Sequence, residues 1–407
     1  MNDGKKRLVN ADVLKGLLIV AIVFIHLLIG GMAVADTDPV PPEPDPSDPV
    51  PPGPEPDPEP PGPEPEKETG FSIDIVSTVV QMFYLGLMAF FILSGYFFKP
   101  GRGFADNMRR RFFQLVLALA VCIVALPLLT YAWMALLGKA PGLDDILLAF
   151  QWGLGMNGVF EPLDVFTSHP ICGGCVGYYY LWGMFWGFIV FYAVADSIRD
   201  DWRRSLATVL ILLTVGMLLR EFLPIKLPMY LQLAPISASF MVAGMMMAKH
   251  GVMEKIGAFS YASAKSWAVL VCSIVASLAL VILLPPGLDF THGYGGYGGV
   301  SIFPFFVESV AMFVVMAQIS LLLSKIPLFS DAMVVAGRHT LGILLLHGSV
   351  ATMIVCAFYD ITNGDWFPGE MGLYQRLAVA IIVLIVCILV CEVGGRVLGK
   401  RKENGVS

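Results

Sequence analysis

Two histidines stand inside long apolar runs of this chain, where an ionisable side chain is expensive. His26 falls in the run 12–34 and His347 in the run 339–360. An ionisable group in a membrane-like segment is a functional candidate by default. Imidazole takes or gives a proton near neutral pH, which suits general-base work on a hydroxyl. The plainer reading of each is a hydrogen bond to a neighbouring helix. Lys15 precedes His26 by eleven residues. At 100° per residue this spacing is only about 20° from eclipsed and ~16 Å along the axis. A cation at one rim and an imidazole near mid-membrane therefore share a helix face.

Weaker candidates surround these three. Arg109-Arg110-Arg111, with Lys99 and Arg102 close by, reads as a topology signal that meets anionic lipid. Its sharper reading is a phosphate clamp, because guanidinium forks match phosphate oxygens. No phosphate-cradling P-loop occurs, and the G-x-G-x-x-G matches at Gly153–Gly158 and Gly293–Gly298 fall in outer loops between apolar runs, the wrong context for a phosphate cradle. Glu308 lies two turns inside its apolar run, placed to pair structurally or to orient a histidine or a hydroxyl. Ser94-Gly95-Tyr96 ends another run, where the glycine permits close helix approach. Ser94 as a nucleophile would need a base that the sequence does not place. Asp12 can cap the first helix or pair with a base, and Arg220, Glu221 and Glu392 near run ends fit snorkelling. Cys172-Gly173-Gly174-Cys175, with His169 three residues before, reads as a disulfide or inert thiols. Redox and zinc sites would need a context or a fourth ligand that is missing, and no metal is expected.

These residues need elements to hold them, and composition names the kind. Of 407 residues 57% are hydrophobic and 14% charged, with mean hydropathy +0.74, which excludes an ordinary water-soluble domain. Ten stretches are long enough to cross ~30 Å of hydrocarbon: 12–34, 72–98, 112–137, 176–196, 205–223, 229–249, 265–286, 301–325, 339–360 and 372–397. Continuous apolar runs exclude an alternating strand barrel, so the expected fold is an all-α integral membrane protein of about ten transmembrane helices. A cytoplasmic N-terminus puts 21 of the 26 Lys and Arg residues inside, so both termini are expected to be cytoplasmic. A competing reading takes Ala33-Val34-Ala35 as a signal-peptidase site.

One segment distorts the charge balance. Residues 36–68 hold 15 of the 28 prolines and 11 of the 32 acidic residues, with Lys67 as their only base. The segment carries −10, so from a total of −6 the remainder carries +4. The acidic balance belongs to a Pro-rich extracytoplasmic loop within one domain spanning 1–407. Such a loop is an extended spacer without a core, and nothing in the charge calls for nucleic acid. A second outer loop, 287–300, has Gly293, Gly295, Gly296, Gly298 and Gly299 among aromatics, as a connector or a lid.

Several of these pieces, in order, resemble the acyltransferase-3 family of multipass membrane O-acyltransferases. The first run reads DVLKGLLIVAIVFIH, similar to the family's basic residue, ten-residue spacer and His, with Lys15 for the commoner Arg. The second reads FYLGLMAFFILSGYFF and ends in Ser-Gly-aromatic; an Arg cluster follows. The segment YYYLWGMFWGFIVF is similar to a Trp-containing stretch of the family, and GRHTLGILLLH closes on His347. The Arg cluster lacks the family's Arg-x-x-Arg spacing, and Gly183 stands where Phe is usual.

The resemblance implies transfer of an acyl group, commonly acetyl, from cytoplasmic acyl-CoA to a hydroxyl of a cell-surface glycan or lipid-linked sugar. Acyl-CoA enters as co-substrate, with no bound cofactor. Lys15 and Arg109 to Arg111 would hold the donor phosphates, and His26, with His347, would act on the hydroxyl. Signal cleavage would discard His26. Relatives often carry an extracytoplasmic hydrolase-like domain. Ten residues follow the last run here, so the membrane domain or a separate extracytoplasmic transferase is expected to finish transfer. The resemblance also implies a bacterial plasma membrane. The alternative is a transporter or flippase for a small anion or glycolipid, which composition suits equally; Pro127, Pro235 and Pro304 do not pair between two halves as its interrupted helices would.

Overall fold

The computed structural model describes residues 9–29, 85–140, 142–156, 178–222, 227–257, 262–283, 302–358 and 371–404. The Pro-rich segment 36–68, the Ala33-Val34-Ala35 site, His169, Cys172, Cys175 and the loop 287–300 lie outside the described residues. Among those described, helix is the only regular structure, as continuous apolar runs require when no water is available to satisfy an exposed backbone.

Thirteen helices follow one another among the described residues: α1 (Val9–Ile29), α2 (Ala89–Tyr96), α3 (Phe104–Leu136), α4 (Leu143–Gly153), α5 (Tyr178–Ile198), α6 (Trp202–Phe222), α7 (Ala234–Lys249), α8 (Val252–Gly257), α9 (Ala264–Leu283), α10 (Ile302–Leu323), α11 (Pro327–Arg338), α12 (Thr340–Phe358) and α13 (Leu373–Asn404). Among the described residues seven are long and apolar enough to cross a membrane: α3, α5, α6, α7 with the turn before it, α10, α12 and α13. Two more apolar helices are shorter, Leu85–Tyr96 and Ala264–Leu280. The structure thus establishes an all-α, multi-span membrane protein.

Where the runs fall on described residues they coincide with helices, the run 72–98 being described only from residue 85, and the departures have local causes. The third run begins earlier, at Phe104, because the basic stretch before it is itself helical. A π-helical turn at Phe112–Val116 joins that polar start to the apolar body. Between α10 and α12 the chain forms α11 rather than a plain connection; Pro327 sits in its first turn, where a missing N–H costs nothing.

Lipid tails are as apolar as leucine, so close packing must hold such helices together. Two crossings do this with reciprocal glycines. In the first, α1 lies against α11, with Gly16 on the backbone of Met333 and Gly337 on the backbone of Asp12. In the second, α2 lies against α7, with Gly95 on the Met241 backbone and Gly244 on that of Ile92. Any side chain at these four positions would overlap main-chain atoms. The packing role expected for Gly95 is therefore what the structure shows. Helix α7 is the centre of the bundle, with every residue from Ala234 to Met245 buried. By contrast α13 presents Ile381, Ile382, Ile385, Leu389, Val390 and Val393 outward, as a lipid-facing helix would.

Candidate active site

Helices α1 and α12 bring together two imidazoles that are 321 residues apart. His26 Nδ1 lies 2.9 Å from His347 Nε2, and the rings stack at 5.2 Å with planes 9° apart. His347 is buried at 4% exposure, while His26 is half-buried. On its other side His347 Nδ1 faces the backbone carbonyls of Leu344 at 2.9 Å and Ile343 at 3.1 Å. Those carbonyls point to it because it lies three and four residues further along the same helix. Tyr178 of α5 donates to the neighbouring Leu345 carbonyl at 3.3 Å, which ties a third helix to this level.

Next to the pair lies a cavity of about 480 Å³. Its polar end is formed by Lys15 of α1, Arg111 and Gln114 of α3, and Arg338 at the end of α11. Its walls are apolar, with Phe90, Leu93, Leu115, Leu181, Met184 and Leu344 prominent. Neither imidazole lines the space directly. Leu344 does, and its carbonyl is a partner of His347, so the pair stands one helical turn beyond the wall. Thr340 and Leu344 line the cavity and His347 follows at the next turn, a spacing of four and then three residues that keeps all three on one face. On α1, Lys15 lines the cavity and His26 lies eleven residues, about three turns, further along.

Only one arginine of the expected cluster is part of this site. Arg111 is half-buried. Its Nε donates to the Tyr192 hydroxyl at 3.1 Å and its Nη1 to Gln114 at 3.3 Å. Its guanidinium lies 4.2 Å from the centre of the Phe188 ring, a cation–π contact. Arg109 and Arg110 are exposed and outside the cavity lining. Successive helical residues differ by 100°, so a run of three cannot all face one cavity.

Lys15 pairs with the buried Asp12 at 3.8 Å and lies 5.3 Å from the Phe97 ring centre. Pairing, of the two roles open to Asp12, is the one observed. Ser94 lines the cavity, but its hydroxyl donates to the Phe90 carbonyl at 2.8 Å, one turn back. Glu308 is buried on α10, outside the cavity lining. Glu392 does more than snorkel: it meets His339 at 2.8 Å and Arg396 at 4.0 Å, fastening the start of α12 to α13. The tryptophans of α5 are fasteners too, Trp182 to the Gly153 carbonyl at 2.9 Å and Trp186 to that of Met229 at 3.0 Å.

Arg338 also lines the cavity, although its residue type and position do not mark it out in the sequence. It stands nine residues before His347, much as Lys15 stands eleven before His26. That echo was the available signal. Recognising it required knowing that α11 packs on α1.

These features define a class: a multi-span helical membrane protein with a cation-rimmed apolar cavity beside a paired-imidazole centre. Within that class the chain belongs to the acyltransferase-3 family, whose acyltransferase domain it matches over residues 8–392, nearly its full length. No curated protein and no solved structure matches it.

Proposed function

We propose that this protein is a membrane O-acyltransferase that moves an acyl group, acetyl in the simplest case, from acyl-CoA to a hydroxyl of a cell-surface glycan or lipid-linked sugar. The observation that carries this reading is the succession of Lys15, Arg111 and Arg338, an apolar-walled cavity, and the His26–His347 pair. A donor with phosphates at one end and a thioester at the end of a flexible arm has the same order of chemistry. Guanidinium and ammonium groups take the phosphates, and the apolar walls take the arm and acyl group. The acceptor hydroxyl would then meet the thioester at the imidazoles.

The reaction needs one base. His26 takes the hydroxyl proton as the oxygen attacks the thioester carbonyl. The carbon–sulfur bond breaks, and the departing thiolate takes the proton back. Acyl-CoA is consumed as co-substrate and no resident cofactor is called for. In this reading the basic end of the cavity is cytoplasmic. Helix α1 and the two shorter apolar helices join the seven long ones as spans, ten in all, with both termini inside. The site is a bacterial plasma membrane, and acceptors arrive from the opposite face, directly or through a separate extracytoplasmic transferase.

The test compares membranes bearing wild type or His26→Ala, given radiolabelled acetyl-CoA and cell-envelope extract, with label followed into glycan and lipid fractions. Transfer by wild type that falls by at least about a hundred-fold in the variant, at equal yield of folded protein, is the expected result. Equal transfer by both would remove His26 from the chemistry. Movement of a small anion or glycolipid across the membrane without acyl transfer would replace the enzyme with a transporter.

A further inference from the structure

The hydrogen bonds of the imidazole pair have a direction, and that direction selects one nitrogen. His347 Nδ1 faces two backbone carbonyls, Leu344 at 2.9 Å and Ile343 at 3.1 Å. A carbonyl oxygen only accepts, so Nδ1 must carry a hydrogen. In a neutral imidazole the other nitrogen is then an acceptor. His347 Nε2 is that nitrogen, and its neighbour at 2.9 Å is His26 Nδ1, which must therefore donate. This leaves the lone pair of His26 on Nε2.

The alternative, a charged His347 that donates from both nitrogens, would bury an imidazolium. Neither imidazole has a carboxylate among its hydrogen-bond partners in the described residues, and an uncompensated buried charge is costly. Exposure agrees with the neutral arrangement. His347, the inner member, is 4% exposed, whereas His26 keeps some open surface.

We infer that His26 Nε2 is the reacting nitrogen and that His347 is a positioning residue, which holds His26 in the Nδ1–H tautomer through a chain ending on the Leu344 and Ile343 carbonyls. This rests on the acyltransferase reading for its chemistry, though not for its tautomers. His347 does here what a carboxylate does behind a catalytic histidine: it fixes ring orientation and lets the proton-accepting face point at substrate. When His26 Nε2 takes the hydroxyl proton, its Nδ1–H bond to His347 strengthens, and the bonds from His347 to the two carbonyls polarise with it. The positive charge is thus supported by main-chain oxygens of α12, with no acid required.

Two measurements test this separately. The first is 15N magnetic resonance of histidine-labelled wild type, with His26 assigned by comparison with His26→Gln. A protonated Nδ1 and a bare Nε2 on His26 are expected; the reverse tautomer would overturn the inference whether or not the protein transfers acyl groups. The second is transfer by His347→Gln and His347→Leu at equal folded yield. A glutamine oxygen can stand close to the lost Nε2 and accept from His26, whereas leucine fills the space without accepting. His347→Leu should lose about a hundred-fold in kcat, with the donor KM unchanged. His347→Gln should recover at least about ten-fold of that loss, because the same bond is remade. Equal loss in both, or no loss in either, overturns the positioning role. If wild type itself transfers nothing, the acyltransferase reading fails, and the spectra alone decide the tautomer.

Discussion

At the polar end of the cavity, Lys15, Arg111 and Arg338 come from three helices, and two of the three are long chains with appreciable exposure. At the imidazole pair, two rings from two helices are held within one hydrogen-bonded chain that ends on main-chain oxygens. The first arrangement tolerates movement, since a phosphate group can be met by a cation from several directions. The second does not, because a proton can be taken only by the nitrogen that faces it. Binding at the cavity and chemistry one turn beyond its wall thus make different demands on rigidity, and the fold answers each with different side chains. Arg111 lies between the extremes. Tyr192, Gln114 and Phe188 fix its plane, while Lys15 is held more loosely, 3.8 Å from Asp12 and 5.3 Å from the Phe97 ring centre.

Both regions depend on a shared platform, and the largest effect should come from breaking it. The α1–α11 crossing carries Lys15 and His26 on one helix and Arg338 on the other, and it closes only because Gly16 and Gly337 lack side chains. A Cβ on Gly337 would overlap the Asp12 carbonyl, which is backbone and cannot rotate away. Gly337→Val should therefore abolish the monodisperse protein peak in detergent size exclusion, whereas Gly394→Ala, with open space around the new carbon, should leave it unchanged. A well-folded Gly337→Val with intact transfer would show that the two regions do not need this crossing.

The next effect separates the regions. Arg111→Ala should raise the KM for acyl-CoA by roughly ten-fold, the loss of about one charge-assisted contact, with kcat little altered. Lys15→Ala and Arg338→Ala should each raise it a few-fold, since exposed ion pairs contribute less. Arg109→Ala and Arg110→Ala should do nothing to either constant. Steady-state kinetics with varied donor would check all five. A fall in kcat at Arg111 with unchanged KM would place this arginine with the chemistry rather than with donor binding.

How much of this could be read from the sequence depends on distance along the chain. Lys15 and His26 share one helix, so their common face followed from helical periodicity and is observed. The membrane class followed from the apolar runs, most of which coincide with helices. The meeting of His26 with His347 was implied only by the family resemblance, which set both on one hydroxyl; nothing local encodes contact between residues 321 apart, and on periodicity alone each histidine could equally have bonded another helix. Which member of the Arg cluster lines the cavity was hidden for a related reason. Three consecutive arginines point in three directions, and the choice of Arg111 is made by Tyr192 and Phe188, some eighty residues away. Arg338 stayed hidden because α11 lies between two apolar runs and gave no sign of packing on α1.

The smallest expected effect sharpens the contrast from the opposite side. Ser94 lines the cavity, and a nucleophilic serine there would make the protein a covalent carrier with a third working region. Its hydroxyl instead donates to the Phe90 carbonyl at 2.8 Å, the ordinary fate of a serine inside an apolar helix. That bond leaves the oxygen no more nucleophilic than in water, since activation needs a base to accept the proton, and a carbonyl cannot take it. Removing the hydroxyl costs only a local bond to a carbonyl that is already paired within the helix. Ser94→Ala should therefore keep transfer within about two-fold of wild type, in line with other substitutions that touch no partner. Trapping with labelled acyl-CoA and acid quench should find no acyl group on Ser94. A hundred-fold loss with unchanged fold, or label recovered on this residue, would move the chemistry from the imidazole pair to the cavity wall.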